Sequence, residues 1–187
     1  MKKLKYQDVN IKLINACRKG DSKAQYEIYK LYYKSMYNTA FRILGNSAEA
    51  EDVMQEGFLS AFQKIESYKG EVSFGAWMKK IIVNRSLDIV KVRKAVISIE
   101  TSPVDIADES ATAYTEMPEE VNVEMIKEAI HALPEGYRIV LSLYLLEGYD
   151  HDEISEILKI TNATSRTQFH RAKKKLAELL NELKAVS

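Results

Sequence analysis

The chain has a single cysteine, Cys17, which excludes an internal disulfide and any metal cluster built from several thiolates. Proline and glycine are scarce, 3 and 7 in 187 residues, too few to punctuate a turn-rich all-β fold, so helices are expected nearly throughout. No apolar run approaches the length of a membrane span. Met1-Lys2-Lys3 is basic, but no apolar stretch succeeds it; a signal peptide is not expected, and a cytoplasmic location is. The three histidines, His131, His151 and His170, sit singly on different predicted helices, with no nucleophile or metal-ligand partner at useful spacing. An enzyme, a metal site, a cofactor and a small-molecule substrate are therefore not expected.

Net charge is also lacking, with 27 Lys and Arg against 27 Asp and Glu, but the balance hides a pattern. Met1 to Lys94 carries 18 basic and 10 acidic residues, Ala95 to Glu120 carries 7 acids and no base, and Val121 to Ser187 carries 9 and 10. The middle stretch, AVISIETSPVDIADESATAYTEMPEE, has two prolines, several Ser and Thr and no helical apolar repeat. Such a composition makes a flexible, self-repelling linker. A second reading is an acidic strand that occupies a basic channel meant for nucleic acid. Either way the chain divides into a domain over 1–94, a linker over 95–120 and a domain over 121–187. The expected fold is all-α: two small helical domains on a flexible acidic linker.

The most polarised stretch is Asp150 to Lys175, DHDEISEILKITNATSRTQFHRAKKK. Its first part holds Asp150, Asp152, Glu153 and Glu156; its second holds Arg166, Arg171, Lys173, Lys174 and Lys175, with Thr161-Asn162-Ala163 as a polar break between them. Ile154, Ile157 and Leu158 keep helical spacing, and so do Phe169, Ala172, Leu176, Leu179 and Leu183. The face opposite the second set carries Arg166, Thr167, His170, Arg171 and Lys174. Thr164 or Ser165 is the expected N-cap. Two short helices with a tight turn, the first acidic and the second basic, suit a helix-turn-helix whose second helix enters the major groove of duplex DNA. A helical hairpin with a solvated basic face fits the same spacing. Upstream, Val121 to His131 is expected to be helical, with Ile126, Ala129, Ile130 and Leu133 on one side. Tyr137 to Leu146 is expected to be the central apolar helix of a four-helix module, ended by Glu147-Gly148.

In the first domain a short helix is expected from Ile11 to Gly20. A second, capped by Asp21 or Ser22, runs to about Leu44 with Ala24, Ile28, Leu31 and Tyr32 at helical spacing, and Gly45-Asn46 stops it. The third, Ser47 to about Ser67, buries Met54, Phe58, Ala61, Phe62 and Ile65. Asp52, Gln55, Glu56, Leu59 and Gln63 face outward within a band of about 100°. A leucine ringed by acids and amides suits docking on a protein partner; a surface helix with one stray leucine fits equally. After a loop, Tyr68-Lys69-Gly70-Glu71, a helix from Ser73 to Lys94 is apolar nearly all round, except for a narrow stripe of Lys80, Asn84, Asp88 and Lys91 beside Trp77 and Phe74. Cations, an amide and aromatics on one surface suit single-stranded nucleic acid; core aromatics under a few surface charges is the plainer reading.

Taken together, the stretches AEDVMQEGFLSAF, FGAWMKKIIVNRSLDIVKVRK, and LPEGYRIVLSLYLLEGYDHDEISEIL followed by TSRTQFHRAKKKL resemble the extracytoplasmic-function group of bacterial sigma factors, over about Ile11 to Leu180. The resemblance implies a detachable specificity subunit of RNA polymerase. Asp52, Gln55, Glu56, Leu59 and Gln63 would grip core RNA polymerase. Lys69, Trp77, Lys80, Asn84, Asp88 and Lys91 would hold the opened minus-ten element of promoter DNA. Arg166, Thr167, His170, Arg171 and Lys174 would read the minus-thirty-five element. An anti-sigma factor is a candidate further partner. Ala163 stands where many relatives carry glycine, so the turn is expected to be right-handed there or slightly strained. The alternative is a stand-alone helix-turn-helix regulator that binds duplex DNA unaided.

Overall fold

The structure, a computed structural model, describes residues 9–97 and 121–186; the stretch 98–120, which holds nearly all of the expected linker, lies outside the described residues. Among the described residues there are eight α-helices and no strand, as the glycine and proline counts imply. The chain separates into two compact units, one ending near Val92 and the other beginning near Arg93.

The first unit contains α1 (Ile11–Arg18), α2 (Ser22–Leu44), α3 (Ser47–Gln63) and α4 (Phe74–Ile97). Their ends are set by local chemistry. The Asp21 carboxylate accepts from the amides of Lys23 and Ala24 at 2.9 and 3.3 Å, which starts α2. Gly45 at φ 69 ends it, a left-handed conformation that costs glycine nothing, and its amide donates back to Phe41. Asn46 then caps α3 through the Glu49 amide at 3.1 Å. Helix α3 stops at Gln63, and Ile65–Ser67 make a single tight turn instead of continuing it as the apolar spacing predicted. Ile14, Ile28, Met36, Ile43, Phe74, Met78, Ile82 and Leu87 are fully buried. At about 1.5–3 kcal/mol for each fully buried large apolar side chain, this core holds the unit together. Leu31, expected on the buried side, is 54% exposed. It lies past the edge of the stripe on which Ile28 packs inward and Tyr32 meets Phe74.

The second unit contains α5 (Val123–Ala132), α6 (Glu135–Leu141), α7 (His151–Leu158) and α8 (Asn162–Val186). Its core gathers Ala129, Ile130 and Leu133 with Leu141, Ala172, Leu176 and Leu180, and Leu179 and Leu183 pack against it. Ile126, expected on this side, is 36% exposed and is not part of the buried core. The expected central helix over 137–146 is interrupted. After Leu141 the backbone widens to a π turn over Ser142–Leu146, with the Glu147 amide donating to Ser142 at 3.1 Å. One extra residue in the turn rotates the succeeding side chains by about 100° relative to the α-helical register. Tyr144, Leu145 and Leu146 therefore face outward, while Arg138 and Ser142 are buried. Burial pushes the Arg138 guanidinium below its usual pKa, against the opposing pull of Glu135, and its Nη1 donates to the Leu133 carbonyl at 3.2 Å.

Candidate functional site

Helix α3 presents Asp52, Gln55, Glu56, Leu59 and Gln63 on its exposed face, and Leu59 is 63% exposed. The other face is buried through Ala50, Val53, Met54, Phe58 and Ala61. The helix sits close on α4, since a Cβ at Gly57 would collide with Cδ1 of the buried Ile82. At the same crossing Arg85 of α4 pairs with the carboxylate of Glu56. Sequence reasoning missed this contact, because partners 29 positions apart on two helices leave no periodic signal. Beside the face, Phe62 is half-buried against Phe58, which packs on Tyr29 of α2 at 4.9 Å between ring centroids. Phe62 thus contributes an apolar edge to the leucine face, where it was expected in the core.

Helix α4 carries Lys80, Asn84, Asp88 and Lys91 as one exposed stripe, with Lys91 and Asp88 bridged at 3.2 Å. Trp77 is half-buried, its ring 5.5 Å from Tyr68 and 5.4 Å from Phe74. It is thus both a core residue and part of the surface beside the stripe. The loop that bears Lys69 is anchored on either side. Arg18 of α1 donates to the Tyr68 carbonyl at 2.6 Å, the buried Tyr68 donates its hydroxyl to the Val72 carbonyl at 2.8 Å, and Gly70 makes the bend at φ 70. Lys69 is exposed on this anchored loop, next to the ring stack under Trp77. Arg18 and Tyr68 were not singled out from the sequence; a loop that opens on a tyrosine was the only hint.

In the second unit, Asp150 and Glu153 close a reciprocal capping box at the start of α7. Helix α8 begins at Asn162, with Thr161 as its cap: the Thr161 hydroxyl accepts from the Thr164 amide at 3.0 Å. Neither Thr164 nor Ser165 caps the helix. The turn lies earlier than expected, because Lys159 at φ 57 is the left-handed residue, and Ala163 is inside the helix and unstrained. Ser165, expected as a possible cap, is buried and bonded at 2.9 Å to Nδ1 of His151. His151 stacks on Tyr144 with centroids 4.5 Å apart, and both rings meet Phe169. Phe169 therefore serves this polar-aromatic cluster, at the opposite end of the α8 stripe from Leu183.

Of the five residues expected to face DNA, Arg166, Thr167 and His170 are exposed, and Arg171 and Lys174 are half-buried. The Thr167 hydroxyl donates to the Ala163 carbonyl at 3.0 Å. Lys173 lies over the Phe169 ring at 5.1 Å, and Lys175 is held by Glu178 at 3.0 Å, a hydrogen bond that raises the ammonium pKa. A helix with a packed back, a cationic front and an acidic partner helix behind the turn can present donors to the edges of bases while directing its positive potential one way.

Fold and surfaces together define an all-α protein of two units, one with an exposed leucine face on α3 and one with a helix-turn-helix. Residues 28–96 match the family model of sigma-70 region 2, and residues 123–176 match that of sigma-70 region 4. The chain is similar to the ECF RNA polymerase sigma factor SigW of Bacillus subtilis, 31% identical over 183 residues that cover 92% of this chain and 97% of the relative. It is 24% identical to the ECF RNA polymerase sigma-E factor of Haemophilus influenzae, over 91% of this chain and 95% of that one. Its fold is that of the sigma factor RpoE solved with the anti-sigma factor NepR from Bartonella quintana, at a TM-score of 0.53, 19% identity and coverage of 83% and 96%. The chain belongs to the ECF RNA polymerase sigma factors. It functions as a sigma factor, a transcription initiation factor of RNA polymerase.

Proposed function

We propose that the two units divide promoter recognition between them and that the three exposed faces carry the steps. Asp52, Gln55, Glu56, Leu59 and Gln63 dock the chain on core RNA polymerase. Arg166, Thr167, His170, Arg171 and Lys174 hold the minus-thirty-five duplex by phosphate contacts and major-groove base edges. Lys69, Trp77, Lys80, Asn84, Asp88 and Lys91 hold bases flipped out of the minus-ten element. Flipping costs a few kcal/mol, which stacking and edge hydrogen bonds offset. The family matches leave 97–122 uncovered, which supports a division into 1–94, an acidic tether over 95–120 and 121–187. RNA synthesis belongs to the polymerase, and this chain works in the cytoplasm with it. Among the described residues no helix is long and apolar enough to cross a membrane. An anti-sigma factor that covers the leucine face would keep the chain off the polymerase.

The observation that carries this reading is Leu59, 63% exposed at the centre of an acidic and amide face on a helix otherwise packed tightly. A duplex-binding regulator has no use for such a face. The test is comigration of the chain with core polymerase in size-exclusion chromatography, with affinity then measured by fluorescence anisotropy. Leu59→Asp is expected to weaken core binding on the order of thirty-fold, the size of an interface hot spot, and chiefly through faster dissociation. Wild-type affinity in this variant removes the face from the mechanism.

A further inference from the structure

Helix α7 does more than stand behind the turn. Asp152, in its first turn, accepts a hydrogen bond from Nδ2 of Asn162 at 2.6 Å, and Oδ1 of the same amide accepts from Nε of Arg166 at 2.8 Å. The three residues form a directed chain from the acidic helix, across the turn, to the exposed cation of α8. The amide has one workable orientation here. Reversed, its oxygen would face a carboxylate and its NH2 group would face a guanidinium N–H, so both bonds would be lost together. Asn162 and Arg166 are four positions apart, on one face of the helix, so the inner bond sets the guanidinium relative to the helix axis.

The donors left over matter as much as the donor used. A guanidinium has five N–H donors in a planar fork, and the bond to Asn162 uses only Nε–H. A direct pair with Asp152 would have laid the carboxylate along the fork and neutralised it. Through a neutral amide the charge is kept and the plane of the fork is fixed. The two terminal amino groups remain as a parallel donor pair, which matches the O6 and N7 acceptors of guanine in the major groove.

The geometry points to Asp152 and Asn162 as positioning residues that set Arg166 for bidentate reading of one guanine in the upstream promoter element. This rests on the proposal that α8 faces duplex DNA. The relay converts Arg166 from a phosphate-seeking charge into a specificity determinant. Neither Asp152 nor Asn162 itself touches the base.

The test uses the full chain bound to core polymerase, with promoter duplexes whose minus-thirty-five element is varied one base pair at a time, over a series of salt concentrations. The wild-type protein is expected to prefer guanine at one position by on the order of ten- to a hundred-fold. Arg166→Ala abolishes that preference. Asn162→Ala and Asp152→Ala relax the same position by several-fold and leave discrimination at the other positions intact, with an unchanged salt slope. Asp152→Asn, whose amide oxygen still accepts from Asn162, restores it. A variant that merely perturbs the helix start would weaken all sequences alike, so loss without change of preference in Asn162→Ala overturns the relay. So does an intact preference in both Asn162→Ala and Asp152→Ala. If Arg166→Ala itself keeps the wild-type preference, then Arg166 reads no base and the assignment of its role on α8 falls first.

Discussion

In residues 9–97 the helix that bears Leu59 is fixed by packing, whereas in residues 121–186 the first turns of the helix that bears Arg166 are fixed by polar bonds. Helix α3 lies on α4 through Gly57 and Ile82, and α4 in turn approaches α2 so closely that a Cβ at Gly75 would come within 2.9 Å of the Tyr32 ring. The rings of Tyr32, Tyr68, Phe74 and Trp77 complete that contact. In the second unit the apolar cluster grips the later part of α8, at Ala172, Leu176 and Leu180. The earlier part is held by Thr161, by the His151–Ser165 bond and by the Asp152–Asn162–Arg166 chain. Close packing penalises any change of volume but orients no single donor. Hydrogen bonds orient donors one at a time and contribute about 1 kcal/mol each. A surface that meets another protein needs the first, and a surface that reads base edges needs the second.

The comparison breaks most visibly at Phe74. Its ring is fully buried and touches Tyr32, Tyr68 and Trp77. Phe74→Ala is expected to destabilise the first unit by about 3–5 kcal/mol, the usual cost of removing a buried aromatic ring. Trp77 is the one tryptophan and lies in that unit, so its fluorescence during urea unfolding reports this unit alone. A shift smaller than that caused by removing a single polar bond in the second unit would end the distinction.

Gly57→Ala is the next largest. The added methyl meets Cδ1 of Ile82, the end of a side chain that is itself fully buried. Overpacking costs about 1–3 kcal/mol, and the better helix propensity of alanine offsets up to about 1 kcal/mol. The net expectation is a loss of up to about 2 kcal/mol. Ile82→Val in the same chain should recover part of it by withdrawing the colliding carbon, measured as non-additivity in the double-mutant cycle. Additive losses would mean that the crossing is not set by this contact.

The same contrast between packing and polar bonds separates what the sequence made legible from what it hid. The ends of α2 and the start of α3 were legible because Asp21, Gly45 and Asn46 act on their immediate neighbours. The exposure of Leu59 and of the Lys80–Asn84–Asp88 stripe was legible because a 3.6-residue period carries it. The same period misled at Tyr144–Leu146, where the π turn breaks the register that it assumes. The turn before α8 was misplaced because a lysine, Lys159, takes the left-handed conformation that is expected of a glycine or within a polar run. The Glu56–Arg85 pair and the Asp152–Asn162 bond join different helices, so no local pattern announces them. The i, i+4 spacing of Asn162 and Arg166 was visible and could have prompted the question.

Within the second unit, Ser165→Ala measures what one polar bond holds. The hydroxyl is buried and its loss leaves Nδ1 of His151 without its partner, at a cost of about 1 kcal/mol once alanine's helix propensity is counted. Far-UV circular dichroism during thermal unfolding should show the second unit melting earlier while the Trp77 transition stays in place. A neutral or stabilising result would show that Phe169 and Tyr144 hold this end of α8 without the bond.

The smallest expected effect has the opposite sign and sits at Lys159. It is the one described residue other than glycine with a positive φ, at 57, and it ends α7 by donating its amide to the Ser155 carbonyl. A left-handed backbone costs an ordinary L-residue roughly 1–2 kcal/mol and glycine almost nothing, though glycine also loses more freedom on folding. The lysine side chain is exposed, so burial offers no compensation. Lys159→Gly is therefore expected to stabilise the second unit by about 0.5–1 kcal/mol, a rise of a few degrees in its melting temperature. Lys159→Asn, which also tolerates this conformation, should gain less. The gain should appear in the second unit and leave the Trp77 transition unmoved. If Lys159→Gly instead destabilises while Lys159→Asn does not, then extra chain freedom at the turn outweighs the strain, and the polar bonds across it need a stiff backbone to act.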